Sequence, residues 1–154
     1  MHKFSCASSL ELSAEEFIRT LTLGGVNREL RPLVRMTAPD EWASRPILDW
    51  PEQQALFSSW ILFLGILPVD RHSFYLESIK PDRGFSEQSS STVNSIWLHE
   101  RKVVAIPSGC RVTDNVEFQC RLPLAGIILK QIYRLVFLHR HRNLRAMYGG
   151  CAGP

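Results

Sequence analysis

From Leu124 to Met147 the chain carries one long helical pattern, and it follows a stretch that reads mostly as short strands. That order restricts the fold more than any other feature. Antiparallel strands in such number form a curved sheet with an apolar concave face, and the terminal helix is the element available to cover it. On helical periodicity Leu124, Ile128, Ile132, Leu135 and Ala146 share one side, while Lys130, Arg134, His141 and Arg145 fall opposite. His139 lies near the centre of the apolar stripe. The pattern therefore predicts a stripe buried against the sheet, with His139 facing inward on a protein group or cavity water and His141 solvated.

The segments before the helix supply the sheet. "FSCASSLEL" alternates loosely and reads as a first strand. Ser13 and Glu16 then form a capping box ahead of Phe17, Ile18 and Leu21, which predicts a short helix ending at Gly24-Gly25. "VNRELR" predicts a second short helix stopped at Pro32. "LVRMTA", "ALFSSWILFLGIL", "HSFYLESI" and "GFSEQSSS" are strand runs broken by Pro39, Pro46, Pro51, Pro68 and Pro81. "SIWLHERKVVAI" and "CRVTDNVEFQC" flank Pro107-Ser108-Gly109 as a hairpin. In the second of these, Val112, Asp114, Val116 and Phe118 share a face. Asp114 is thus a carboxylate on an apolar face, which must be paired or protonated. A Ser108-Gly109 loop would set it across from Val103 and diagonal to Arg101, with Trp97 and His99 on the same face. A slip of one residue would offer Lys102 instead. The class that emerges is α+β: a strand, two short helices, about six further antiparallel strands and a long C-terminal helix.

Size and composition narrow the function classes. At 154 residues the chain suits one domain, expected over 1–148, with a glycine-rich tail at 149–154. A net charge of +3 is small for a nucleic-acid binder, so no nucleic-acid partner is expected. Cys6, Cys110, Cys120 and Cys151 are scattered, as in reduced cytosolic proteins, and the N-terminus lacks an apolar signal core; the expected location is cytoplasmic. The most apolar window, "ALFSSWILFLGILPV", falls short of the roughly twenty residues of a spanning helix. A basic amphipathic helix can lie on anionic lipid, but the sheet requires the same apolar stripe, so peripheral membrane contact is the lesser reading. Monomer and homodimer stay equally open. His139 and His141 point about 200° apart on a helix and cannot share an ion, and His2, His72 and His99 are dispersed. No metal and no cofactor are expected. There is no G-x-S-x-G elbow, P-loop or G-x-G-x-x-G, so nucleophilic, nucleotide and dinucleotide chemistries lack support.

Four motifs carry a resemblance: P-x-x-x-H in "GILPVDRHSF", W-x-H in "WLHERKV", T-D in "RVTDNVEF", and F-x-H-R-H in "VFLHRHRNLR". In this order they resemble the START-domain and polyketide-cyclase-like helix-grip superfamily, SRPBCC, and a bacterial group within it to which no activity is attached. The likeness spans the C-terminal two-thirds. It implies a seven-stranded antiparallel sheet wrapped around the long helix and enclosing a hydrophobic cavity, in which members hold sterols, lipids, hormones or polyketides. His72, His99, Asp114 and His139 are the candidate polar groups of that cavity, and Trp60, Phe74, Trp97, Phe118, Ile132 and Leu135 its candidate walls. The expected function is binding of a small hydrophobic or amphipathic ligand. The alternatives are an aromatase/cyclase or dehydratase-type enzyme using His and Asp in the cavity, and a partner-binding module with a filled core. No catalytic residue is assigned.

Overall fold

The computed structural model describes residues 1–81 and 83–150. Seven strands form one antiparallel sheet: β1 (His2–Leu10), β2 (Val34–Met36), β3 (Gln54–Phe63), β4 (Leu67–Lys80), β5 (Gly84–Ser91), β6 (Asn94–Ile106) and β7 (Gly109–Cys120). Their order across the sheet is β1-β7-β6-β5-β4-β3-β2, so the first strand joins the last and β2 closes the far edge. Helices α1 (Ala14–Arg19) and α2 (Leu23–Leu30) follow β1, the short α3 (Asp40–Ala43) follows β2, and α4 (Ala125–Tyr148) ends the described chain. This is the α+β helix-grip arrangement read from the sequence.

Local chemistry explains the small helices. Ser13 accepts from the Glu16 amide while the Glu16 carboxylate accepts from the Ser13 amide, and the box places Phe17 and Ile18 in the core. The Gly24-Gly25 boundary is corrected. Both glycines lie in the first turn of α2, because Thr22 caps that helix by accepting from the Gly25 amide. A Cβ on Gly25 would collide with the Thr20 carbonyl, so the residue serves a close approach between turns.

The β6–β7 hairpin turns through Pro107-Ser108, with Ile106 opposite Gly109. Arg101 is therefore directly across from Asp114, and Val103 from Val112. The diagonal pairing expected from a Ser108-Gly109 loop is shortened to a direct one.

The predicted phase of the long helix is also corrected. It meets β1, β7 and α2 through Gly126, Leu129, Tyr133, Phe137, Arg140, His141 and Leu144, a different stripe at the same three-to-four spacing. Gly126 permits contact with the His2 ring, where a Cβ would clash. The expected stripe faces out: Leu124 is 88% exposed, Ile128 66%, Ile132 47% and Leu135 64%. The helix has two apolar sides, and the one chosen also holds Arg140 and His141, for which the sheet and α2 supply buried carboxylates.

Gly149 and Gly150, placed in the tail by the sequence, meet the end of β1: the Glu11 amide donates to the Gly149 carbonyl at 3.2 Å and Leu10 bridges Gly150. The remainder of that tail, including Cys151, lies outside the described residues. Among the described residues, no helix is long and apolar enough to cross a membrane.

Candidate functional site

Because α4 rests on β1, β7 and α2, the concave face of β3–β6 is left uncovered beneath its N-terminal half. A cavity of about 480 Å³ occupies that space. Its walls are mainly apolar, from α2 (Leu23, Val26, Leu30), the sheet (Phe74, Phe85, Trp97) and α4 (Leu129, Val136, Phe137). Phe63, Val69 and Ile132 both line the cavity and are exposed to solvent, so its mouth lies between the β3–β4 hairpin and α4.

One end of the cavity is ionic. His72, Glu87, His99 and Arg140 line it, and all four are buried. His72 Nε2 meets Glu87 Oε1 at 2.5 Å, and the other Glu87 oxygen faces His99 Nδ1 at 3.6 Å. His99 Nε2 reaches Asp114 Oδ1 at 2.9 Å. Behind this layer Arg101 makes a fork on Asp114, with Nε to Oδ1 at 2.8 Å and Nη2 to Oδ2 at 2.7 Å. Arg101 Nη1 also donates to Glu29 on α2 at 2.9 Å, and Arg140 Nε donates to the same carboxylate at 2.6 Å. His141 Nε2 donates to Asp114 Oδ2 at 3.0 Å, while its Nδ1 meets Ser8 Oγ at 2.9 Å. Five strands and two helices are thus tied through one network.

The charges follow from these partners. Burial pushes Asp114 toward its neutral form, but the charges of Arg101 and Arg140 and the bonds from Arg101 and His141 outweigh it and hold the group well below the carboxylate range. Glu29 is lowered against burial by Arg101 and Arg140, and Glu87 against burial by His72 and His99. For His99, burial favours the neutral ring, yet hydrogen bonds to Asp114 and Glu87 prevail and raise it. Tyr133 is pushed up to about 12, chiefly by burial, although its hydroxyl accepts from Asn94 Nδ2 at 2.9 Å.

Of the ten residues singled out from sequence, His72, Phe74, Trp97, His99 and Ile132 line the cavity. The other five do not. Trp60 points to the convex side, 47% exposed under Arg71, because Ile61 and Phe63 take the inward positions of β3. Phe118 is fully buried beside His2, Trp97 and Tyr133. Leu135 is exposed. Asp114 is buried behind His99, both oxygens engaged. His139 is the clearest correction: it is half-buried outside the cavity and binds the Arg31 carbonyl at 2.7 Å, at the C-terminal end of α2. His141, expected in solvent, is 1% exposed and bonded to Asp114.

Sequence reasoning missed Glu29, Glu87 and Arg140 as members of the site and had Arg101 only as a diagonal neighbour of Asp114. Glu87 alternates with Phe85 and Ser89 on the buried face of β5, and that parity was the available signal. Glu29 gives itself away only through partners distant in sequence. Among the described residues, no cluster of three His, Cys, Asp or Glu side chains is disposed to hold a metal ion.

A family model described as Domain of unknown function (DUF8410) matches residues 8–148. No curated protein matches the chain. Solved structures do. Protein CV1439 from Chromobacterium violaceum superposes with a TM-score of 0.72 at 10% identity, over 97% of this chain and 99% of that one. A START superfamily protein from Mycobacterium smegmatis gives 0.64 at 9% identity, over 96% and 97%. The major latex-like protein 151 from Panax ginseng gives 0.65 at 8% identity, over 96% and 97%. At these identities the likeness establishes the helix-grip fold shared with START-like proteins and nothing finer.

Proposed function

Since the chain belongs to the DUF8410 family, which carries no assigned activity, we propose its function from its own interior: it binds one small apolar or amphipathic molecule in the cavity beneath α4. The observation that carries this reading is the void of about 480 Å³, walled by aliphatic and aromatic side chains and ended by a few fixed polar groups. Interiors of proteins without a ligand to hold are close-packed, with few voids larger than a water molecule. That argues against a structural module with a filled core. The half-exposed apolar rim formed by Phe63, Val69 and Ile132 supplies an entry for a lipid-, sterol- or polyketide-like molecule.

A second reading, an enzyme acting inside the same cavity, is favoured by one feature. The His72–Glu87 pair faces the cavity at 2.5 Å, an imidazole oriented by a carboxylate, which is the arrangement general acid–base chemistry uses. The His–Asp version of that chemistry has less support, because Asp114 is saturated by Arg101, His99 and His141 behind the wall.

The test is titration with Nile red, a neutral apolar dye, alongside native mass spectrometry of freshly purified protein. Saturable one-to-one dye binding, lost in a Val26→Trp variant that fills the cavity while the fold persists, is the expected result. Absence of saturable binding to the wild-type protein overturns the reading.

A further inference from the structure

Among the described residues, Arg140 is the one member of the buried network with a buried side-chain nitrogen that lacks a hydrogen-bond partner. It is 3% exposed and lines the cavity. Its Nε donates to Glu29, but among the described residues its Nη2 is a buried nitrogen with no hydrogen-bond partner. A charged N–H left bare in an apolar interior is costly, so such groups normally have a protein, water or ligand acceptor. Arg101, by contrast, is fully committed to Asp114 and Glu29.

We propose that the ionic end of the cavity is a head-group site for an amphipathic acid, whose carboxylate accepts from Arg140 Nη2 while its apolar body fills the rest of the void. The inference rests on the ligand-binding reading above and adds the ligand's chemical class. Three features argue for an acid. An ionised oxygen is the strongest acceptor for a guanidinium N–H, and such bonds are shorter and stronger than neutral ones. The guanidinium stacks on the Phe137 ring, with 5.5 Å from Cζ to the ring centre, which sets the orientation of the fork. His99 sits edge-on to the same ring at 5.5 Å, so imidazole and guanidinium share one end of the cavity.

The local charge count permits an added anion. Glu29, Asp114 and Glu87 are faced by the guanidiniums of Arg101 and Arg140 and by the imidazoles of His72, His99 and His141, so the basic groups outnumber the carboxylates. Asp70, also on the wall, is engaged by Thr92 Oγ1 and the amides of Arg71 and Val93, and so turns toward the strand connection.

The experiment compares dodecanoic acid with dodecan-1-ol, equal in chain length, by displacement of Nile red at neutral pH. The acid is expected to bind roughly tenfold tighter or better, the worth of one charged hydrogen bond. That preference is expected to collapse in Arg140→Gln. Because Arg140 also holds Glu29, a variant that fails to fold is replaced by a wild-type measurement. There the guanidinium ¹⁵N–¹H signals of Arg140 shift with dodecanoate and not with dodecanol. Equal affinity for acid and alcohol, a preference that survives in Arg140→Gln, or Arg140 signals indifferent to the acid each overturn the proposal and leave the apolar cavity standing. Failure of Nile red, acid and alcohol alike to bind removes the ligand-binding reading itself.

Discussion

Asp114 shows how much one side chain organises. It is fully buried and accepts from Arg101 and His99 on β6 and from His141 on α4, so both elements depend on its charge. Asp114→Ala leaves Arg101 and two imidazoles without their anion, and is expected to cost roughly 3–5 kcal/mol in chemical unfolding. The two histidines of the terminal helix are expected to differ. His141→Ala breaks a buried bond to Asp114 and lowers the melting temperature clearly, whereas His139→Ala removes a peripheral bond to Arg31 and lowers it less. Equal shifts would refute the assigned environments. The same network gives stability a bounded pH window. Asp114, Glu29 and Glu87 have lowered pKa values, so their contribution is present above the ordinary carboxylate range of about 4 and is lost as pH falls through the folded values. His99 is raised, so its contribution is full below about 6.5 and is lost as pH rises through the folded value. Unfolding free energy measured against pH should therefore peak between these limbs, and His99→Gln should flatten the alkaline one.

At the scale of elements, α4 is defined by competition between its two apolar sides. Phe137 is buried against Phe4, Trp97 and His99, while Leu135 lies 64% exposed on the opposite side. Phe137→Ala should cost about 3–5 kcal/mol, and Leu135→Ala should stay within about 0.5 kcal/mol of wild type. A Leu135 effect as large as that of Phe137 would contradict the seating of the helix. The junction of α4 with α2 is polar as well as apolar. Asn143 donates to the Glu29 and Arg31 carbonyls at 2.8 and 2.7 Å, and His139 adds its bond to Arg31, so α4 supplies acceptor-satisfying groups to the end of α2.

For the whole molecule, the consequence is a domain whose packing is complete at one end and open at the other. Leu10, Phe17, Leu21, Val103, Val112 and Leu144 close the core under α1 and the C-terminal half of α4, whereas the N-terminal half of α4 spans the cavity. A molecule that occupies the void binds only the folded state. At a free concentration one hundred times its Kd it should stabilise the protein by about 2.7 kcal/mol, visible as a concentration-dependent rise in melting temperature. An apolar molecule that binds saturably without raising the melting temperature would place the binding outside the folded cavity.

What the sequence determined by itself was whatever depends on near neighbours. The capping box at Ser13, the strict alternation of β7, the break at Pro32 and the helical period after Leu124 are local, and each appears where local chemistry puts it. The four spaced motifs carried the fold family for the same reason: they fall on β4, β6, β7 and α4, and through His72, His99, Asp114 and Arg140 they converge on one network. Tertiary structure alone decided which side of α4 turns inward. Periodicity ranked the sides by hydrophobicity, and that ranking favoured Leu124, Ile128, Ile132 and Leu135. The folded chain instead had two buried carboxylates to neutralise, Glu29 on α2 and Asp114 on β7, and only the side bearing Arg140 and His141 could reach them. Those carboxylates are far from α4 in sequence, so no local pattern revealed them. The seating they impose leaves the other side of the helix bare, with the cavity open beneath it.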